Sequence, residues 1–312
     1  MPQPSPETDP PPMGRRYAVA GRQLLLHRAG SGGPAVVFLP GAGLIGLDFL
    51  NIHNAVAQFA TSVIYDRAGT GWSDSIALPR SAADAACELH ELLAAAGIAP
   101  PYVLVGHSLG GAYARRCAQL FPDDVAGVVL LDPAHEGYAS MPGQPLLTQV
   151  LQGLKLLPAL LDMRRFYRPM FTRMLAAWPD GLRERLIDYH LAHWGRTLQE
   201  SKNLYGEVLA ELRDGGAMPD APLIVLTAMG IDPFQAALIA TPYLRELNLH
   251  KLAFYEAFAA SVPRGENRAI EGAGHSTLHT DRPDAVVAAI RDVIEAAALK
   301  APASVGGRLV SA

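Results

Sequence analysis

The chain has very little cysteine, little excess of charge of either sign and no long apolar run, and each lack removes a class of function. Only Cys87 and Cys117 occur in 312 residues. That excludes a disulfide-stapled fold and, with no ligand partners at metal spacing, a cysteine metal centre. Both lie among apolar residues of helical pattern and are expected as buried thiols. Lys and Arg total 26 against 30 for Asp and Glu, a net charge of −4, so there is no basic footprint for nucleic acid. No apolar stretch approaches the ~18 residues needed to span a bilayer, and no internal repeat is evident. Residues 1–13 are rich in proline and hold Glu7 and Asp9 but no Lys or Arg. They lack the pattern of a secretory leader and read as a disordered lead-in, so a cytoplasmic location is expected.

What is present is apolar residue in a regular order. Half the chain is hydrophobic, enough to bury a sizeable core. Residues 16–19 and 23–27 flank Gly21 as a hairpin; apolar strand runs follow at 35–39, 62–65, 102–105, 128–131, 222–227 and 267–271. Helical periodicity separates them, at about 48–59, 81–96, 109–121, 242–260 and 283–298. Apolar strands alternating with amphipathic helices give a mostly parallel sheet covered on both faces. Between about Glu136 and Met218 the alternation stops and only helical pattern remains, which predicts a helical insertion at the carboxyl edge of the sheet. The expected organisation is a tail (1–15), an α/β core (16–135 and 219–298), an inserted helical lid (136–218) and a C-terminal tail (299–312).

One motif carries chemistry. Val103-Leu104-Val105-Gly106-His107-Ser108-Leu109-Gly110-Gly111 puts a serine between a strand and a helix with glycine two residues away on each side. A serine on so tight a turn is strained, and a side chain at Gly106 or Gly110 would collide with the adjoining elements. The strain projects the hydroxyl at a helix N-terminus, whose N–H groups stabilise negative charge.

With this elbow, the Pro40-Gly41-Ala42-Gly43 loop, Tyr65-Asp66-Arg67-Ala68-Gly69-Thr70-Gly71-Trp72-Ser73 and Gly272-Ala273-Gly274-His275 in order, residues 16–298 resemble the α/β-hydrolase superfamily, in particular its lid-bearing esterase-like members. One departure is visible: many relatives carry histidine where Pro40 stands, so any bracing of the loop by that histidine must be supplied otherwise. The resemblance implies a Ser-His-Asp triad. Ser108 is the nucleophile and His275, in the loop after the last strand, the base; His279 is the runner-up, read as a surface or helix-entry residue. The acid is expected at Asp232, after strand 222–227, with Asp132, after strand 128–131, as the alternative. Backbone N–H groups of Leu109 and Ala42 are the expected oxyanion donors. His107 is expected in the pocket wall, and Phe166, Phe171 and Trp194 in an apolar roof. Asp66 and Arg67 are read as pairing with backbone and with each other to hold their loop in shape.

The implied function is hydrolysis of carboxylic esters of apolar small molecules through an acyl-enzyme, with no metal and no cofactor. Serine at the elbow argues against the epoxide hydrolase and dehalogenase branches, which carry aspartate there. Amidase or peptidase, thioesterase, lactonase and carbon–carbon hydrolase chemistry stay open, because fold and triad do not fix the substrate. A hydrolase-fold small-molecule receptor with little turnover is the rival of another class, and oligomeric state is left open.

Overall fold

The computed structural model describes residues 10–140 and 162–299. Most of the two predicted tails, and residues 141–161 of the predicted insertion, lie outside the described residues. Along the chain the elements are β1 (Arg15–Val19), β2 (Arg22–Ala29), β3 (Ala35–Leu39), α1 (Leu50–Val56), β4 (Ser62–Tyr65), α2 (Ala82–Ala95), β5 (Tyr102–His107), α3 (Leu109–Leu120) and β6 (Val125–Leu131). Then come α4 (Met163–Met174), α5 (Asp180–Ala192), α6 (Gly195–Ser201), a π-helical turn (Leu204–Val208), α7 (Leu209–Asp214) and β7 (Leu223–Ala228). The chain closes with α8 (Pro233–Leu238), α9 (Thr241–Ala260), β8 (Gly265–Ile270), α10 (Leu278–Asp281) and α11 (Pro283–Ala298).

The eight strands form one sheet in the order β1-β2-β4-β3-β5-β6-β7-β8, antiparallel through β1, β2 and β4 and parallel from β4 to β8. β3, β5 and β7 are buried along their whole length, which is why they read as continuous apolar runs rather than alternating ones. Successive side chains still divide between two faces. Val36, Phe38, Val103, Val105, Val129 and Leu131 pack with Ile52 and Val56 of α1 and Ile290 and Val293 of α11. Val37, Leu39, Leu104, Val128 and Leu130 pack with Leu89 and Leu92 of α2, Ala114 of α3 and Tyr255 of α9.

The chain leaves β3 for β4 on one side, then crosses back to β5 on the other, so the direction of winding reverses between β3 and β5. In open α/β sheets the crevice beyond the carboxyl ends of the strands at such a reversal is where ligands bind. Here that crevice lies between the Pro40–Gly43 loop and the turn at Ser108.

Between β6 and β7 the described residues form helices and no strand. Part of this segment belongs to the core: Val208, Leu209 and Leu212 are buried in the same layer as α2 and α3. Cys117 is buried, whereas Cys87 is exposed on α2, against expectation; its neighbours Ala86 and Glu88 face inward and it does not. Among the described residues no helix is long and apolar enough to cross a membrane.

Candidate active site

Ser108 has φ 50° and ψ −119°, the strained turn between β5 and α3 that the glycine spacing anticipates. A Cβ at Gly106 would stand 2.6 Å from the Gly110 carbonyl oxygen, and one at Gly110 would stand 2.1 Å from the Leu39 carbonyl oxygen. Real Cβ atoms do not approach backbone that closely, so both positions require glycine. The turn is further tied down by Ser108 N–H donating to the Leu131 carbonyl at 3.1 Å and Ala134 N–H donating to the Ser108 carbonyl at 2.9 Å.

His275 comes from the loop after β8. Its Nε2 lies 3.1 Å from Ser108 Oγ, and its Nδ1 lies 2.6 Å from Oδ2 of Asp132. The acid on the imidazole is therefore the residue at the end of β6, and the expectation of Asp232 is corrected. The local backbone explains both positions. Asp132 follows β6 directly, its N–H held by the Leu226 carbonyl of β7 at 2.9 Å and its φ at 46°. Like Ser108 it is a strained non-glycine residue at a strand end, held by its surroundings. Asp232 instead precedes Pro233, the first residue of α8, and caps that helix: its Oδ1 accepts from Gln235 N–H at 2.7 Å. Its Oδ2 accepts the Ser276 N–H at 2.5 Å, so Asp232 holds the backbone beside His275 rather than the ring.

Asp132 is wholly buried and has three donors. Besides His275, Ala228 N–H donates to Oδ1 at 2.9 Å and the Lys251 ammonium donates to Oδ2 at 2.8 Å. Lys251, from α9, is itself nearly buried and donates to Asn248 Oδ1 at 3.0 Å. Burial alone would raise the Asp132 pKa, but the Lys251 cation and the His275 hydrogen bond outweigh it and hold the carboxyl down to about 2. Sequence reasoning missed Lys251, and nothing local marks it, because its partner lies 119 residues away.

His107 lines the cavity beside Ser108 and His275. Its Nε2–H donates to the His275 carbonyl at 2.8 Å, fixing the loop that carries His275, and burial pushes its pKa well below the ordinary range. Gly41 must lack a side chain because a Cβ there would stand 2.6 Å from His107 Nδ1. His279 is fully buried and stacked on Phe49, not at the surface, so it cannot substitute for His275.

The two expected oxyanion donors sit directly after Ser108 and in the loop after β3. Leu109 is the first residue of α3, where a helix leaves N–H groups unpaired. In the loop after β3, Gly43 N–H donates to Glu200 at 2.7 Å and Leu44 N–H to the Gly41 carbonyl at 3.2 Å, and Pro40 has none to give. Gly41 and Ala42 remain, and Ala42 lines the cavity with Ser108 and His275.

That cavity, of about 270 Å³, is walled mainly by Phe171, Met174, Trp194, Phe234 and Leu238. Of the residues expected in an apolar roof, Phe171 and Trp194 line this cavity. Phe166 does not: it packs against the core and edge-on to Tyr167, with ring centroids 4.9 Å apart. A second cavity, of about 380 Å³, also reaches Ser108 and His275 and is lined by Tyr138, Tyr205, Tyr243, Asn248 and Lys251. Asp66 accepts from Gly46 N–H and Trp72 N–H, each at 2.9 Å, as befits a loop-shaping role. Arg67 does not pair with Asp66; its partner is Glu200 of α6, a residue the sequence reading did not single out.

A family model described as the alpha/beta hydrolase family matches residues 36–289. The chain belongs to the alpha/beta hydrolase family. Among solved structures it is similar to a thermophilic esterase from Thermogutta terrifontis (TM-score 0.59, 19% identity, covering 90% of this chain and 98% of that one). It is also similar to an esterase from Exiguobacterium antarcticum (TM-score 0.64, 16% identity, 91% and 100%) and to a putative epoxide hydrolase from Pseudomonas aeruginosa (TM-score 0.67, 22% identity, 93% and 99%). At such identities the likeness is one of fold. Among curated proteins, the uncharacterized protein YqjL of Bacillus subtilis is 37% identical over 108 residues, 35% of this chain and 43% of that protein. The putative carbamate hydrolase RutD of Cronobacter turicensis is 34% identical over 102 residues, 32% of this chain and 38% of that protein. The chain thus spans less than half the length of these curated relatives.

Proposed function

We propose that this protein is a cytoplasmic serine hydrolase that cleaves carboxylic esters of apolar small molecules through an acyl-enzyme. The observation that carries the reading is the continuous path Ser108 Oγ, His275 Nε2, His275 Nδ1, Asp132 Oδ2, with separations of 3.1 and 2.6 Å, opening into an apolar cavity. A serine hydroxyl is a weak nucleophile until a base takes its proton in the act of attack. Ser108 Oγ attacks the ester carbonyl carbon, and its proton passes to His275 Nε2. Asp132 keeps the other ring proton on Nδ1 and stabilises the imidazolium. The carbonyl oxygen becomes an oxyanion held by the N–H groups of Leu109 and Ala42. The C–O bond to the alcohol then breaks, and the alcohol leaves with the proton from Nε2. Water attacks the acyl-Ser108 by the same route and releases the acid. Two thiols with no disulfide between them suit a reducing compartment.

The cavities suggest the shape of the substrate. Phe171, Met174, Trp194, Phe234 and Leu238 favour an apolar half, while Tyr205, Tyr243 and Lys251 give the second cavity a more polar lining for the other. The helices inserted after β6 act as the lid that selects this substrate. Turnover of p-nitrophenyl esters of increasing acyl length, by the native protein and by Ser108→Ala, tests the reading. The variant should lose roughly 10³- to 10⁶-fold in kcat, and retention of a tenth of the native rate would overturn the mechanism.

A further inference from the structure

On that reading the loop after β3 holds an N–H aimed at the developing oxyanion, yet it is short, glycine-rich and starts with Pro40, which has no N–H of its own to anchor it. Its support comes from elsewhere. Arg67, in the loop after β4, donates from Nη1 to the Pro40 carbonyl at 2.5 Å and from Nη2 to the Gly41 carbonyl at 2.9 Å. The same guanidinium meets Glu200 Oε1, with Nη2 at 2.9 Å and Nε at 3.2 Å. Glu200 closes the ring, since its Oε2 accepts Gly43 N–H at 2.7 Å. Three of the four loop residues are thus held through their backbone, and Ala42 is the one between the clamped positions.

Both partners are buried, Arg67 2% and Glu200 3% exposed. An ion pair so dry is a poor source of net stability, because desolvating two charges offsets most of their attraction. It is, however, rigid and directional, since the planar guanidinium presents its donors in a fixed fork. Glu200 belongs to α6, in the segment inserted between β6 and β7, and α6 touches the same loops at further points. A Cβ on Gly43 would stand 1.9 Å from Thr197 Oγ1, and Arg196 donates to the Gly69 carbonyl.

We propose that Arg67 and Glu200 are positioning residues that fix the Ala42 N–H in the oxyanion pocket, so that the inserted segment completes the catalytic site through Glu200 as well as covering it. The inference rests on the serine-hydrolase reading above. It makes transition-state stabilisation, and not ground-state binding, depend on the pair. Preorganised donors act on charge that exists only once the tetrahedral species forms, so a loosened loop lowers kcat and leaves KM nearly unchanged.

The test uses the full-length protein, with active sites counted by fluorophosphonate titration so that misfolded molecules do not enter the rate. Glu200→Gln keeps the shape and an acceptor for Gly43 N–H but removes the charge that holds Arg67. Arg67→Lys keeps the charge but replaces the planar fork, which reaches the Pro40 carbonyl, the Gly41 carbonyl and Glu200 from three nitrogens, by a single nitrogen on a shorter side chain. Each is assayed for kcat and KM on one p-nitrophenyl ester and for affinity toward an arylboronic acid, which bonds to Ser108 Oγ and presents a tetrahedral anion to the oxyanion pocket. Deleting one oxyanion donor outright costs roughly 10²- to 10³-fold in kcat, and a donor merely misaimed should cost less, roughly 10- to 100-fold. The expected result is a fall of that size in kcat per active site, a parallel loss of boronate affinity, and a KM within about threefold. If kcat per active site and boronate affinity both stay within threefold of the native protein, the pair is only structural and the proposal is overturned, even if thermal stability drops. If the native protein does not react with the fluorophosphonate at Ser108, it is the serine-hydrolase reading that fails.

Discussion

Replacing Asp132 by Asn separates what that carboxylate does for chemistry from what it does for the fold. For chemistry, Asn can donate to His275 Nδ1 and so stabilise the wrong tautomer, which in a Ser-His-Asp arrangement lowers kcat by about 10⁴. For the fold, the change strands the Lys251 ammonium, whose only other hydrogen bond described is to Asn248. An uncompensated buried charge costs about 3–5 kcal/mol. Replacing both, Asp132→Asn with Lys251→Met, removes the stranded charge and should recover most of that loss without recovering activity. Asp232→Asn is the control. Asparagine keeps the helix cap but turns an amide N–H toward the Ser276 N–H that Oδ2 accepts, so stability should fall by about 1–3 kcal/mol, while kcat should fall far less than for Asp132→Asn because the imidazole keeps its partner. Urea denaturation gives the stability differences from midpoints at constant slope, and ester hydrolysis per titrated active site gives kcat. A larger fall in kcat for Asp232→Asn than for Asp132→Asn would refute the assignment of the acid. A double variant no more stable than Asp132→Asn alone would refute the role given to the Lys251 charge.

Three further outcomes follow from the same geometry. Because the Asp132 carboxyl is held down to about 2 in the folded state from an ordinary 3.8, it adds stability that is fully present above about pH 4 and lost as pH falls toward 2. The contribution is about 2 kcal/mol, with about half gone by pH 3, so the stability of the native protein relative to the Asp132→Asn/Lys251→Met variant should fall by about 1 kcal/mol between pH 6 and pH 3; a pH-independent difference would contradict it. Phe171→Ala and Trp194→Ala, which enlarge the apolar cavity, should shift the ratio of kcat/KM between short and long acyl esters by several-fold and leave the pH profile alone, whereas Phe166→Ala should leave that ratio unchanged; equal effects from all three would remove the cavity from substrate choice. Gly110→Ala should abolish both folding yield and activity, because its Cβ would stand 2.1 Å from the Leu39 carbonyl oxygen; a soluble, active variant would show that the turn can relax.

The sequence was most legible where a single local demand dictates residue type. The elbow, Ser108 and the strand runs at 35–39 and 62–65 coincide with the observed elements because tight turns require glycine and doubly buried strands require continuous apolar residues. His275 was legible from its place in a glycine-rich loop following the last strand. The acid was not, since Asp132 and Asp232 both follow strands, and the choice depends on how β6 and β7 deliver them to one imidazole. One local sign did point the right way: Asp232-Pro233 is a helix-cap pair, and a carboxylate engaged in capping is less available to histidine. Lys251 and Glu200 were beyond reach because each acts on a partner more than a hundred residues away in the chain. Phe166 and Phe171 share a helix and an aromatic character, and only the packing of α4 on the core decides which one meets the cavity.

The most direct measurement on the central claim is reaction of the intact protein with a fluorophosphonate, followed by intact-mass determination and peptide mapping. A hydroxyl activated by His275 displaces fluoride from phosphorus, forming an O–P bond that survives digestion. The account predicts one phosphonyl group per molecule, located on Ser108, absent from Ser108→Ala and formed far more slowly in Asp132→Asn. A native protein that stays unmodified, or is modified at a residue other than Ser108, would contradict it.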